Sequence, residues 1–249
     1  MRLFNNPNQT LATDFLQWLE HSIEDGAKTV KRVKSTYYKP SSLNCLRMMY
    51  FYRTQTEIDD VARPASALGI LESGQDRHLR IQQAVCNMKK QGYNCEWVDV
   101  AAYIEQHKLT DLEVVAQKTF ETAVHHKTLD LLFLCDGLLK INNVYYLLEI
   151  KTENSLSFYN RVEVANEHKH QAACYSLSFK INQVIFIYEN RDTCVKKAFL
   201  YTVPQSVKNE VLSLIEQCNT AVQKQKIPLR LECKACTYCD YKKKCKNLI

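Results

Sequence analysis

Glycine and proline are scarce in this chain, five of each among 249 residues. That scarcity excludes collagen-like and low-complexity architectures and predicts a compact, helix-containing chain with few long loops. Long apolar runs are missing as well. No stretch reaches the ~18 uninterrupted apolar residues a membrane helix needs. The opening MRLFNNPNQT lacks the apolar segment of a secretory leader. The expectation is a soluble, cytoplasmic protein with no membrane partner. Neither sign of charge dominates: 33 Lys and Arg face 27 Asp and Glu, a net charge of +6 that permits attraction to a polyanion without requiring it.

Cysteine, in contrast, is plentiful. Eleven of them, an odd number with no leader, suit free thiols or metal ligands better than a disulfide framework. Cys233, Cys236, Cys239 and Cys245 crowd the C-terminal end, whereas Cys86, Cys95, Cys135, Cys174, Cys194 and Cys218 are scattered and read as small core residues. Cys45 stands apart near the N-terminus.

Hydrophobic periodicity predicts a mixed α/β chain built on a central sheet. Leu11, Phe15, Trp18, Leu19 and Ile23 have helical spacing, in a segment that ends near Gly26. The basic, aromatic-bearing stretch from Lys28 to Pro40 follows; taken alone it reads as solvated surface. Ser41 or Ser42 then caps a helix carrying Leu43, Cys45, Leu46, Arg47 and Tyr50. A long helix is predicted over 65–91, with Gly74, His78, Ile81, Val85 and Met88 on one face, which turns His78 toward the core. Further on the pattern predicts a strand near 96–100, a helix near 101–109, strands from 120 to 151, and a helix over 162–180. Strands near 184–188 and 197–203 and a final helix opened by Pro204 complete the prediction. His168 and His170 alternate on a helix and are expected at its surface.

The segment FLCDGLLKINNVYYLLEIKT seats three charges among residues that favour burial. Asn142-Asn143 suits a two-residue hairpin turn, because Asn tolerates positive φ. If Ile141 faces Val144, counting outward puts Asp136 opposite Glu149, with Lys151 on the same face. Two opposed carboxylates on a half-buried sheet repel unless a cation lies between them or one is protonated. Oxygen donors suit Mg²⁺ or Mn²⁺, and a nearby lysine can orient water or steady charge developing on a phosphate.

Asp136 with Glu149-Ile150-Lys151 resembles the PD-(D/E)XK nuclease core, in which the acids bind metal and the lysine assists catalysis. Gly74-x3-His78 resembles the motif that precedes this core in RecB-like nucleases, where the histidine is a further metal ligand. Gln171-x3-Tyr175 resembles their QxxxY motif, whose residues share one helix face and contact DNA or the active-site groups. The proline that usually precedes the first acid is absent here, at a position the family leaves degenerate. The resemblance implies a restriction-endonuclease-like fold, a central mixed sheet flanked by helices, and an Mg²⁺ or Mn²⁺ site made by His78, Asp136, Glu149 and the Ile150 carbonyl.

Cys45 together with Cys236-x2-Cys239-x5-Cys245 is similar to the iron–sulfur branch of these nucleases, the CRISPR-associated exonuclease and AddB types. In that branch one N-terminal and three C-terminal cysteines hold a [4Fe–4S] cluster, here fastening segments about 190 residues apart. The alternative is Zn²⁺ held locally by Cys233, Cys236, Cys239 and Cys245.

The whole reading is a single nuclease domain over 1–249: an N-terminal helical segment (1–64) with Cys45, a core (65–203), and a C-terminal helix with a cysteine-rich tail (204–249). Its implied activity is metal-dependent hydrolysis of DNA phosphodiesters, as an exonuclease on single-stranded or end-containing DNA in recombination, repair or viral DNA processing. Residues near Lys31 to Tyr38 would help guide the strand. No helicase motif is visible, so unwinding falls to a partner such as a helicase, with a recombinase or single-strand-binding protein as further partners. The alternatives are an inactive DNA-binding scaffold on the same fold and a zinc-stabilised interaction module. Oligomeric state is not legible.

Overall fold

A computed structural model describes residues 7–28, 36–59, 63–232, 236 and 239–247. Most of the basic stretch after Lys28 and the whole of Cys233 lie outside the described residues. The centre is a five-stranded sheet of β1 (Cys95–Trp97), β5 (Gly137–Ile141), β6 (Val144–Glu153), β7 (Gln183–Asn190) and β8 (Lys196–Thr202), in the order β1-β5-β6-β7-β8. Only β6 and β7 run parallel, and a parallel pair needs a crossover. It is made by α5 (Ser155–Tyr159) and α6 (Asn166–Phe179). The sheet is therefore mixed and helix-flanked, as expected.

The Asn142-Asn143 hairpin forms in the counted register, with Ile141 opposite Val144 and Gly137 opposite Leu148; both asparagines have positive φ. A second sheet was not foreseen. Strands β2 (Leu112–Gln117), β3 (Thr122–His126) and β4 (Leu131–Cys135) form their own antiparallel meander. The break between β4 and β5 falls at Asp136, where the chain passes from one sheet to the other.

Helix α3 (Ala65–Asn87) lies on one face of the large sheet, with Ile81 and Val85 packed against Cys95, Leu139, Leu148 and Ile150. Burial of two such aliphatic side chains contributes about 1.5–3 kcal/mol each. The helix is also pinned electrostatically: Glu189 is fully buried and receives Arg77 (3.0 Å), Arg80 (2.7 Å) and Lys196 (2.9 Å). Losing one of these partners would leave a poorly compensated buried charge. Helix α1 (Pro7–Lys28) adds Glu24, whose carboxylate accepts the Ala65 N–H at 3.1 Å and satisfies a free donor at the start of α3. The apolar residues predicted on α1, including Phe15 and Trp18, remain exposed.

The opposite face carries the larger core. There α6 packs between the sheet and α7 (Gln205–Gln223), with Ala172, Ala173 and Cys174 letting backbones approach closely. Four scattered cysteines, Cys95, Cys135, Cys174 and Cys218, are buried as expected, but Cys194 is exposed. Three further expectations are corrected. A 3₁₀ turn at Pro40–Ser42 replaces the serine-capped helix, and α2 (Leu46–Arg53) begins later with Cys45 at its N-cap. Tyr38 is not available to DNA, because it is buried and its hydroxyl donates to Asn219 Oδ1 at 2.6 Å. His168 is not a surface residue. Its ring lies against Phe186 and bonds the Tyr188 hydroxyl at 2.8 Å, while His170 bonds Asn44 and Glu210.

Candidate active site

Along β6 the side chains alternate, and Leu147, Glu149 and Lys151 share the face that meets α6. Leu147 belongs to the core, but toward the C-terminal end of the strand the apolar layer gives out and a cleft of about 740 Å³ opens. Ile70, Leu71 and Gly74 of α3 line it, as do Val115 and Leu134 of the small sheet. Lys39 and Arg191 add positive charge to the same cleft. Because α3 is anchored through Ile81, Val85 and Arg77, His78 is carried to this cleft. It is half-buried there, not in the core as its helical spacing suggested.

The structure brings His78, Asp136, Glu149, Lys151, Gln171 and Tyr175 together. Asp136 is locked on three sides. One carboxylate oxygen accepts the Ile150 N–H at 2.8 Å, the other lies 3.4 Å from His78 Nδ1, and its carbonyl accepts Gln82 Nε2 at 2.7 Å. Glu149 is 2% exposed. Its Oε1 accepts Gln171 Nε2 at 2.7 Å and pairs with Lys151 Nζ. Its Oε2 is buried with no hydrogen-bond partner among the described residues.

Gln171 and Tyr175 serve this cluster. The second Gln171 Nε2 hydrogen goes to the Tyr175 hydroxyl at 2.6 Å, and Tyr175 donates onward to the Leu134 carbonyl at 3.3 Å. Gln171 Oε1 accepts Lys151 Nζ at 2.9 Å. With both amide donors and the amide oxygen engaged, the orientation of this side chain is determined by its neighbours.

Burial pushes the Glu149 carboxyl up from 4.5 to about 7; Lys151 opposes the rise and Asp136 reinforces it. For His78, burial works against the charged form. Its hydrogen bond to Asp136 and the charges of Asp136 and Glu149 outweigh burial and hold the imidazole above its usual value. Tyr175 is raised well above the ordinary tyrosine value, mainly by burial, and stays neutral. Away from the cleft, burial and then the charges of Lys151 and Arg161 push His168 down to about 3.

One residue escaped sequence reasoning. His78, Glu121 and Asp136 offer ligand atoms that all lie within 4.8 Å of one another. Glu121 precedes β3, and no local pattern marks it; its place depends on the packing of the small sheet beside the large one.

A second assembly joins the chain ends. Cys45, Cys236, Cys239 and Cys245 all line one cavity of about 270 Å³. No three of these sulfurs lie within 4.8 Å of one another. The Cys239 thiol is pushed up to about 11 by burial; a Tyr241 N–H bond pulls it back, and the three neighbouring cysteines raise it further. The DYKKKCK tail is packed against the body of the protein. Tyr241 is buried against Phe51, the Asp59 carboxylate accepts the Lys243 and Lys244 N–H groups at the start of α8 (Lys242–Asn247), and Arg47 bonds the Pro228 and Cys245 carbonyls at 2.7 and 3.0 Å.

The fold and site define an α/β chain whose mixed, helix-flanked sheet carries a His–Asp–Glu–Lys cluster at its cleft. No protein-family model matches the chain, and no curated protein matches it. Among solved structures it is similar to SSO0001, at 16% identity and a TM-score of 0.49, over 96% of this chain and 98% of that one. It is also similar to an alkaline exonuclease, LHK-Exo from Laribacter hongkongensis, at 12% identity and a TM-score of 0.44, over 77% of this chain and 92% of that one. The same exonuclease in complex with dAMP gives 12% and 0.47, over 77% and 90%. Among the described residues, no helix is long and apolar enough to cross a membrane.

Proposed function

We propose that the protein is a divalent-metal-dependent deoxyribonuclease that hydrolyses phosphodiester bonds, working as an exonuclease on single-stranded or end-containing DNA. The observation that carries this reading is the Glu149 Oε2 atom, a buried carboxylate oxygen with no donor among the described residues, in a residue that lines the cleft with Asp136 and His78. A cation relieves both the missing partner and the repulsion between the two acids. The residues that would hold Mg²⁺ or Mn²⁺ are His78, Asp136, Glu149 and the Ile150 carbonyl. Bound there, the ion supplies Lewis acidity toward the phosphate and lowers the pKa of a water.

The remaining work belongs to the chain. Lys151, held between Gln171 and Glu149, presents a fixed ammonium that orients the attacking water or steadies charge building on the phosphate. Gln171 is the positioning residue, and Tyr175 fixes Gln171. Lys39 and Arg191 attract the DNA backbone. Cys45, Cys236, Cys239 and Cys245 are the residues that would hold a [4Fe–4S] cluster, which would fasten the two chain ends. All four line one cavity of about 270 Å³, which leaves room for a group larger than a single ion.

The test is degradation of end-labelled single- and double-stranded DNA by anaerobically purified protein, with Mn²⁺, Mg²⁺ or EDTA. Cleavage is expected with metal, absent in EDTA and lost in Lys151→Ala. Failure to cleave either substrate with full metal content would overturn the proposal and leave a DNA-binding scaffold. For the cluster, broad visible absorbance with bound iron and sulfide is expected and should be lost in Cys45→Ala. Bound zinc that is indifferent to that substitution would refute it.

A further inference from the structure

Building on the metal reading above, we propose that Glu121 is an additional ligand of the divalent ion, delivered by the turn between β2 and β3 from outside the sheet that carries Glu149 and Lys151. Two observations converge. The Glu121 carboxylate lies within 4.8 Å of ligand atoms of both His78 and Asp136. Independently, Glu149 lines the same cleft, and its buried Oε2 has no hydrogen-bond partner among the described residues, a setting that suits a bound cation.

The turn is held in place. Lys118 N–H donates to the Glu121 carbonyl at 2.9 Å and closes it. The Phe120 ring packs edge-on against Trp97 of β1, with centroids 5.9 Å apart. Trp97 in turn lies over Gly137, so close that a Cβ there would sit 2.6 Å from the indole. Gly137 directly follows Asp136. The turn, the indole and the Asp136–Gly137 step therefore form one packed unit, and packing sets the distance from Glu121 to Asp136. The one ion pair of Glu121 among the described residues is with Lys118 Nζ, at 3.6 Å. That lysine is two-thirds exposed, and such pairs contribute little.

Three carboxylates and an imidazole make a hard, oxygen-rich donor set that suits a six-coordinate Mn²⁺ or Mg²⁺. A bound ion would then tie the small sheet to the large one across the cleft. Ion binding should accordingly quiet the turn as well as the sheet ends.

The experiment is calorimetric titration of the metal-free full-length protein with Mn²⁺, for wild type, Glu121→Gln and Asp136→Asn. Hydrogen exchange over 115–123 is followed in parallel. Thermal melts in EDTA check that each variant is folded; Glu121 is partly exposed in a turn, so its amide isostere should melt with the wild type. Glu121→Gln is expected to weaken Mn²⁺ binding about tenfold or more, since even outer-sphere partners of ligands are worth that much. Metal-induced exchange protection of the turn should disappear. An unchanged Mn²⁺ affinity in Glu121→Gln, with binding lost in Asp136→Asn, would overturn the proposal. Wild type that binds no Mn²⁺ would overturn both this ligand and the metal site. Wild type that binds Mn²⁺ with the expected Glu121 dependence but cleaves no DNA would refute the nuclease reading and leave the ligand assignment standing.

Discussion

Replacing Glu149 by glutamine should remove a pH-dependent strain from the metal-free fold. Moving a carboxyl from 4.5 to about 7 by burial corresponds to about 3 kcal/mol in favour of the protonated form within the fold. Between those two values the folded chain keeps a proton that the unfolded chain has released. The stabilisation is fully present below pH 4.5 and is lost as pH rises through about 7. His78, raised above 6.5, adds a loss of the same sign as pH climbs through its folded value. His168, pushed down by burial, acts oppositely: its contribution is present above 6.5 and is lost as pH falls toward about 3. His168 feels no charge from Glu149 and cancels in the difference between wild type and Glu149→Gln, whereas His78 loses the part of its rise that Glu149 supplies, a contribution of the same sign that adds to the wild type's loss. Urea unfolding of both proteins in EDTA, from pH 4.5 to 8, should show the wild type losing about 3 kcal/mol relative to the variant. Saturating Mn²⁺ should reverse this at pH 8, because an ion at 100 times its Kd stabilises the wild type by about 2.7 kcal/mol. A flat difference across the pH range would refute the reasoning, for it would mean that Glu149 is not held in the buried, repulsive setting described.

Three shorter predictions follow from the same geometry. Gln171→Ala removes bonds to Glu149 and Lys151, each worth about 1.5–3 kcal/mol for charged partners, so kcat should fall about ten- to a hundredfold with KM nearly unchanged. A rise in KM at constant kcat would instead assign Gln171 to DNA binding. Gly137→Ala drives a methyl to 2.6 Å from the Trp97 indole and should cost about 1–3 kcal/mol in urea unfolding. The added Trp97→Leu should relieve the clash, and strictly additive effects would refute it. The His168 ring protons should show no titration between pH 8 and 5 in NMR spectra, given its burial; an inflection near 6.5 would place the ring in solvent.

Much of the site was legible because it is local. The hairpin register follows from one turn and the two-residue alternation of strands, and the Gln171–Tyr175 relation follows from one helical turn. His78 was harder: its spacing with Ile81 and Val85 suggested the core, yet α3 runs past the packed part of the sheet and leaves His78 at the cleft. His168 failed for the reverse reason. Helical alternation separated it from His170, but the crossover helix is sandwiched between layers, so more than one of its faces is covered. The second sheet escaped because nothing within 112–135 tells which strand pairs with which.

By itself the sequence determined the mixed α/β class, the Asn-Asn hairpin, the faces of Glu149 and Lys151, and the grouping of cysteines at the two ends of the chain. These are consequences of backbone periodicity and turn chemistry, which act over a few residues. Only the tertiary structure decided that Glu121 stands beside Asp136 and that Glu149 Oε2 lacks a donor among the described residues. It also decided that Cys45 shares a cavity with Cys236, Cys239 and Cys245. Each of these depends on which distant side chains fill the same space, as when Phe120 packs on Trp97 and Trp97 occupies the room left by Gly137.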